Sequence, residues 1–144
     1  MLKLAANRIH STVRIGDSVA RTGGDEFTVL LPDIRSSEDA SDIAARIIAV
    51  LAEPFVLNNS TIHLGATIGV SIYPDDGSIP QSLLRNADLA LMRAKNHCKG
   101  VHRFFTPDLN EKARERIGLE EIVRTAMDQK LIQVYYQPVI DMES

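Results

Sequence analysis

Apolar residues recur at intervals of three and four in three stretches of the chain, which predicts three amphipathic helices. The first covers about residues 2–13, the second begins near Ser36 and stops at Pro54, and the third covers about residues 81–96. The hydroxyl of Ser36 is placed to cap the second helix. The core-facing positions are, in chain order, Leu2, Leu4, Ala5, Ile9 and Val13; Ile43, Ala44, Ile47, Ile48 and Leu51; and Leu83, Leu84, Ala87, Leu91 and Ala94.

Between these helices apolar and polar residues alternate, which predicts strands. The first hairpin has Val19 and Phe27 on its two arms, and the second is closed by the turn Asn58-Asn59. Four more elements are predicted, three strands from alternation and one amphipathic helix from helical spacing. They are a strand over about 65–73 that Pro74 to Gly77 breaks, a short strand over 101–105, a charged helix over 109–129 and a strand over 132–136.

The composition describes an ordinary soluble globular protein of 144 residues, 44% hydrophobic and 24% charged. No run of about 18 apolar residues and no secretory signal is present, so we expect a cytoplasmic segment without a membrane span. The single cysteine, Cys98, agrees with a reducing compartment. The net charge of −3, without a basic stripe, argues against a nucleic-acid partner.

Candidate chemistry lies between the arms of the first hairpin, in Gly23-Gly24-Asp25-Glu26-Phe27. Two glycines can supply positive φ and let backbone N–H groups approach a phosphate. Two adjacent carboxylates suit Mg²⁺ (or Mn²⁺), which shares its ligands with water and substrate phosphates. Gly-Gly-Asp is also ordinary turn chemistry, so a solvated turn is the alternative.

The whole pentapeptide in this context resembles the GGDEF domains, which condense two GTP molecules into cyclic di-GMP. Arg14-Ile15-Gly16-Asp17 has the spacing of the Arg-x-x-Asp inhibitory site at which such domains bind their product, and Arg46 falls where the family has a second arginine. An arginine fork can bind guanine O6 and N7, and an aspartate can accept from guanine N–H groups. The alternative for Arg14 and Asp17 is a local ion pair at a helix end.

The third predicted helix resembles the late helix of the family, in which Lys95 corresponds to a lysine that contacts the GTP phosphates and Lys99 to its basic partner. The sequence departs from the usual Lys-x-x-Gly-Arg-Asn, because Cys98 replaces the glycine and Gly100 the asparagine. A lysine at a helix end is also a common solvated charge that suits the helix dipole.

The last residues are similar to the start of an EAL domain, the barrel-type phosphodiesterase that linearises cyclic di-GMP. The two resemblances imply residues 1–106 as the GGDEF domain, 107–130 as a linker helix and 131–144 as the start of the EAL domain. The implied fold is α+β, a ferredoxin-like, nucleotidyl-cyclase-type, antiparallel-rich sheet with flanking helices. We expect roughly the last two thirds of such a domain, with the first strand and part of the first helix missing.

The resemblance implies a diguanylate cyclase in a GGDEF–EAL parent protein, active as a homodimer because each subunit binds one GTP. Its implied roles are catalysis and metal binding by Asp25 and Glu26, substrate binding by Gly23, Gly24, Lys95 and Lys99, and product binding by Arg14, Asp17 and Arg46. The alternative is an inactive module that binds cyclic di-GMP or GTP and regulates the adjoining phosphodiesterase. A third possibility is a fragment without an independent role.

Overall fold

The computed structural model describes residues 1–57, 60–109, 125–129, 131 and 135. The chain divides into two compact units, Met1–Asn110 and Glu111–Ser144. The described part of the first unit alternates helices and strands. Its elements are α1 (Leu2–Thr12), β1 (Ser18–Arg21), β2 (Phe27–Leu30), α2 (Ser37–Ala52), β3 (Phe55–Leu57), β4 (Ser60–Ile62), β5 (Ile68–Val70), α3 (Pro80–His97) and β6 (His102–Phe104).

The strands pair two by two, in three two-stranded sheets within the described residues. Strands β1 and β2 are antiparallel, with Ser18 opposite Leu30, and β3 and β4 are antiparallel as well. Strands β5 and β6 are parallel, with Ile68 opposite His102. The predicted α+β class, with mainly antiparallel pairing, is confirmed. None of the helices in the described residues is both long and apolar enough to cross a membrane.

The predicted strand over 65–73 is too long, because only Ile68–Val70 is a strand. The N–H of Ile72 donates to the Asp76 carboxylate and the N–H of Asp76 donates to the Ile72 carbonyl, both at 2.7 Å. These local bonds take the groups that a longer strand would pair. The Asn58-Asn59 turn lies outside the described residues, as do most of the predicted helix over 109–129, of which 125–128 are helical, and the strand over 132–136 except Tyr135.

Helix α2 begins at the predicted place, but its cap differs from the prediction. Ser36 occupies the N-cap position with extended backbone, and its side chain makes no capping hydrogen bond. The Ser37 hydroxyl donates to the Glu38 carboxylate at 3.4 Å. The Ser36 hydroxyl, ahead of the Glu38 backbone N–H, holds the pKa of Glu38 below its ordinary value by favouring the charged carboxylate. The hydroxyl thus stabilises a negative charge in the first turn, where the helix dipole favours one.

In the predicted stripe of α1 only Ala5 and Ile9 are buried, whereas Leu2 (37%) and Leu4 (38%) are exposed and the prediction is wrong there. The main core lies between α1 and α2. It consists of Ala5, Ile9, Ile43, Ile47, Leu51 and Phe55. Side chains of β2 and β5, among them Val29 and Ile68, pack against this cluster. The hairpin formed by β1 and β2 therefore rests on the α1–α2 layer.

The predicted core face of α3 is partly wrong. Leu84 is 50% exposed, whereas Asn86 is 5% exposed and buried together with Ala90 and Ala94. Strands β5 and β6 both pack against α3, and Gly69 of β5 lies against Ala87 and Leu91. The buried amide of Asn86 donates to the Asp76 carbonyl at 2.6 Å, so it supports the turn that ends β5.

Two arginines connect the ends of α1 and α2 in opposite directions. Arg8 of α1 donates to the carbonyls at the end of α2 and lies 3.6 Å from the centre of the Phe55 ring. Its acceptors are Val50 (2.8 Å), Glu53 (2.7 Å) and Pro54 (2.7 Å). Arg46 of α2 donates to the Thr12 carbonyl at the end of α1, at 2.7 Å. These guanidinium groups satisfy carbonyls for which a helix end has no internal partner.

We expect Arg8→Ala to lower the free energy of unfolding by about 2 kcal/mol, since it leaves three carbonyls without a charged donor. Arg85→Ala is the matched control, because Arg85 is exposed on α3 and its side chain makes no hydrogen bond within the described residues. Urea titration of both variants measures the difference. Equal midpoints for the two variants would contradict the capping role.

A second stability prediction concerns Gly69, where β5 lies directly on α3. A Cβ at Gly69 would meet the Ala87 carbonyl and lie 2.5 Å from the Leu91 backbone nitrogen. These are backbone atoms of a packed helix, so we expect Gly69→Ala to cost more than about 3 kcal/mol. Gly65→Ala, where a Cβ meets nothing within 4 Å, should change stability by less than about 0.5 kcal/mol in the same titration.

Candidate functional site

The pentapeptide lies at the tip of the first hairpin, as predicted. Arg21 is the last residue of β1 and pairs with Phe27, the first residue of β2, so residues 22–26 form the connecting loop. The Thr22 N–H donates to the Glu26 carbonyl at 3.1 Å, and the hydroxyls of Thr22 and Thr28 lie 3.3 Å apart. A rigid two-stranded ribbon thus presents the loop.

The predicted positive φ at Gly23 and Gly24 is wrong, because neither backbone lies in the left-handed region. A loop of this length, closed by the Thr22–Glu26 bond, turns without a left-handed residue. Gly23 has a different use: a Cβ there would lie 3.2 Å from the Glu26 Oε2 atom. The absence of a side chain at Gly23 leaves space for the Glu26 carboxylate, whereas a Cβ at Gly24 would meet nothing within 4 Å.

Asp25 and Glu26 are exposed, and their carboxylates make no hydrogen bond or ion pair within the described part of the chain. Carboxylate oxygens are the donors that Mg²⁺ and Mn²⁺ prefer. The described residues contain no group of three or more His, Cys, Asp or Glu side chains that could hold a metal. The pair therefore fits an ion that keeps several waters and shares its ligands with a substrate phosphate.

Sequence reasoning missed Arg21, which contacts the loop directly. Its Nε and Nη2 atoms both donate to the Gly24 carbonyl, at 3.0 and 2.6 Å. Arg21 forms no ion pair with Asp25 or Glu26 within 4.0 Å. The signal in the sequence is an arginine two positions before the first glycine, at the end of a strand.

Arg14 and Asp17 form a tight turn between α1 and β1. The Asp17 carboxylate accepts the Arg14 N–H at 2.8 Å, and the Asp17 N–H donates to the Arg14 carbonyl at 3.1 Å. Gly16 has a φ of 108°, which explains why a glycine occupies this position. The local ion pair weighed from the sequence is not formed, and the exposed Arg14 guanidinium has no partner among the described residues.

Arg46 is far from this turn in the sequence, but the fold brings it near. Its guanidinium donates to the carbonyl of Thr12, two residues before Arg14. The lysines lie elsewhere. Lys95 is exposed in the last turn of α3 and Lys99 is exposed after it, and neither side chain makes a hydrogen bond or ion pair with a described residue. The structure therefore places the Arg46 guanidinium at Thr12, two residues before Arg14, and no hydrogen bond or ion pair joins the lysines to the hairpin acids.

The family model for the diguanylate cyclase GGDEF domain matches residues 1–100. The chain belongs to the GGDEF family. Among curated relatives, the bifunctional diguanylate cyclase/cyclic di-GMP phosphodiesterase MucR of Pseudomonas aeruginosa is 34% identical over 135 residues, which cover 94% of this chain and 20% of MucR. Diguanylate cyclase TpbB of the same species is 43% identical over 99 residues, covering 68% of this chain and 23% of TpbB.

The solved structure of the isolated GGDEF domain of TpbB superposes with a TM-score of 0.75 at 38% identity, over 78% of this chain and 66% of that one. This similarity confirms the mixed helix and strand architecture as that of a GGDEF domain. The GGDEF match contains the hairpin, the Arg14–Asp17 turn, Arg46 and both lysines. This chain spans about a fifth of the length of the two curated relatives.

Proposed function

We propose that this GGDEF chain carries the half-site of a diguanylate cyclase that condenses two GTP molecules into cyclic di-GMP. The observation that supports it most is the hairpin tip, where two adjacent exposed carboxylates have no partner within the described residues. An unpaired acid pair on a rigid ribbon suits a site that is completed by a cation and a polyphosphate. Because GTP is a cytoplasmic nucleotide, we propose the cytoplasm as the location.

In this proposal the 3′-hydroxyl of each GTP attacks the α-phosphorus of the other. A new O–P bond forms, the bond to pyrophosphate breaks, and the hydroxyl proton is lost to a base. Two hairpins must face each other for the two attacks, so the active form is a homodimer. Asp25 and Glu26 would hold Mg²⁺ or Mn²⁺, which when bound neutralises phosphate charge and lowers the pKa of a coordinated hydroxyl.

The roles of the other residues follow from their chemistry in the same proposal. Gly23 and Gly24 would bind phosphate through their backbone N–H groups; Gly24 has open space where a Cβ would be, whereas the Glu26 carboxylate lies beside Gly23. Lys95 and Lys99 neutralise charge on the leaving pyrophosphate. For this the lysines must reach the site across the fold, because no hydrogen bond or ion pair joins them to the hairpin in the described residues.

We also propose that residues 1–106 are the GGDEF domain, 107–130 a linker and 131–144 the start of an EAL domain acting in cis. Support comes from the extents of the two curated matches. The match to TpbB, named a cyclase alone, covers 99 residues, whereas the match to the bifunctional MucR covers 135 and so includes most residues after 100. The residues after the GGDEF match are thus shared with a relative whose name includes phosphodiesterase activity.

The first test is GTP turnover with Mg²⁺ by the 144-residue chain. We expect Asp25→Asn and Glu26→Gln to lower cyclic di-GMP formation by at least about 100-fold, since loss of groups that only support a metal ligand already costs about 10- to 100-fold. Asp33→Asn is the matched control, an exposed acid after the same hairpin. Turnover that survives Asp25→Asn would exclude this assignment of the acids.

The second candidate function is a binding module that senses cyclic di-GMP and regulates a phosphodiesterase. The Arg14–Asp17 turn favours it, because the exposed Arg14 guanidinium has no partner in the described residues and one Asp17 oxygen is left to accept from guanine. Arg46 lies at the adjoining helix end. Binding of cyclic di-GMP without GTP turnover would favour this function over the cyclase for this chain.

We expect Arg14→Ala to weaken cyclic di-GMP binding about tenfold or more, since a bidentate arginine–guanine contact contributes about 1–3 kcal/mol. Calorimetric titration measures the change, and Arg103→Ala, which removes another exposed arginine, is the control. Binding by Arg14→Ala as tight as by the unchanged chain would rule out the turn as the product site.

A further inference from the structure

We infer that Arg21 is a positioning residue for the acid pair: its guanidinium fixes the peptide between Gly24 and Asp25, so that the two carboxylates meet one divalent cation. The inference rests on the proposed function, because it assumes that the acid pair binds metal. It goes beyond that function by assigning a role to a residue outside the Gly23–Phe27 string.

The geometry of Arg21 is that of a clamp across the loop. Its backbone is fixed in the β1–β2 ladder opposite Phe27, so the side chain starts from a rigid point. Nε and Nη2 then both donate to one carbonyl oxygen, that of Gly24, at 3.0 and 2.6 Å. Two donors of a planar fork define the direction of that carbonyl, which a single ammonium group cannot do.

The carbonyl of Gly24 belongs to the peptide unit that leads into Asp25. Because a peptide unit is planar, fixing its oxygen also fixes the N–H and the Cα position of Asp25. Apart from this clamp, the loop is closed by the Thr22–Glu26 backbone bond and the pair of threonine hydroxyls. Those contacts lie at the base of the loop, so Arg21 is the contact that reaches its far side.

The choice of acceptor is informative, because a guanidinium binds a carboxylate more strongly than a neutral carbonyl. Arg21 is four and five residues from Asp25 and Glu26, yet it forms no ion pair with either within 4.0 Å. The arrangement orders the loop while both carboxylates stay available to an external cation. An ion pair would have occupied one of them.

The positioning role and a plain charge effect predict opposite changes in metal affinity when the Arg21 side chain is removed. If Arg21 acts only as a nearby positive charge, its removal reduces repulsion and strengthens the binding of a cation. If it positions the carboxylates, its removal weakens binding, because the loop must then be ordered at the expense of binding free energy. Arg21→Lys keeps the charge and loses the fork, so it isolates the positioning part.

The experiment titrates Mn²⁺ into the 144-residue chain and follows free Mn²⁺ by electron paramagnetic resonance. We expect Arg21→Ala and Arg21→Lys each to weaken Mn²⁺ binding, on the order of tenfold for groups that orient metal ligands. Arg35→Ala is the control, an exposed arginine whose side chain makes no hydrogen bond to a described residue. Unchanged or tighter Mn²⁺ binding by Arg21→Ala would overturn the inference.

A second measurement without metal separates this inference from the proposed function. Amide ¹⁵N relaxation of the metal-free chain should show faster motion at Gly24 and Asp25 in Arg21→Ala and no change in Arg35→Ala. If the chain without substitutions binds no Mn²⁺, the proposed function is overturned. The same result overturns the claim that Arg21 positions metal ligands, whatever the relaxation shows. Mn²⁺ binding in the unchanged chain, with equal loop motion in all variants, would overturn the clamp alone.

Discussion

The reciprocal hydrogen bonds of Arg8 and Arg46 between α1 and α2 are the constraint on which the rest of the described fold depends. Neither helix ends in a left-handed glycine; Val13 and Glu53 continue each chain in extended conformation. Carbonyls at and just after the helix ends are instead bonded across the interface: Arg8 donates to Val50, Glu53 and Pro54, and Arg46 donates to Thr12. Each helix thereby fixes where the other one stops, and the chain leaves α1 towards the Arg14–Asp17 turn and the hairpin from a defined point.

In the hairpin that follows, the groups that order the loop are different from the carboxylates that carry its negative charge. The Thr22 N–H donates to the Glu26 carbonyl and the Gly24 carbonyl accepts from Arg21, so neither of these loop bonds uses an acidic side chain. Because Asp25 and Glu26 are exposed to water, their mutual repulsion is screened and costs little in the absence of a ligand. A loop that is ordered before a cation binds is pre-organised, as a metal site with few protein ligands needs to be.

The sequence predicts the elements well where one local pattern decides them. The stripe through Ile43, Ile47 and Leu51 had a single apolar face, and the structure buries it. It predicts less where a distant segment decides. On α3 the apolar residues extend around more than one face, and the fold buries Asn86, which bonds to the distant Asp76 carbonyl, while Leu84 stays exposed. The two glycines of the tip show the same limit, because the space that Gly23 leaves depends on where the Glu26 side chain lies.

Arg46 is a further example. It is 34 residues from Thr12 in the sequence, so the hydrogen bond between them is visible only in the fold. One of its N–H groups caps α1, and a guanidinium has five, so the cap leaves donors for a ligand at the neighbouring turn. In the proposed product site, Arg46 would therefore contribute from a position that its bond to Thr12 already holds, while the exposed Arg14 side chain has no hydrogen bond or ion pair within the described residues. With Arg46 already held at Thr12, only the Arg14 side chain would lose conformational entropy on binding, so the cost would be that of a single side chain.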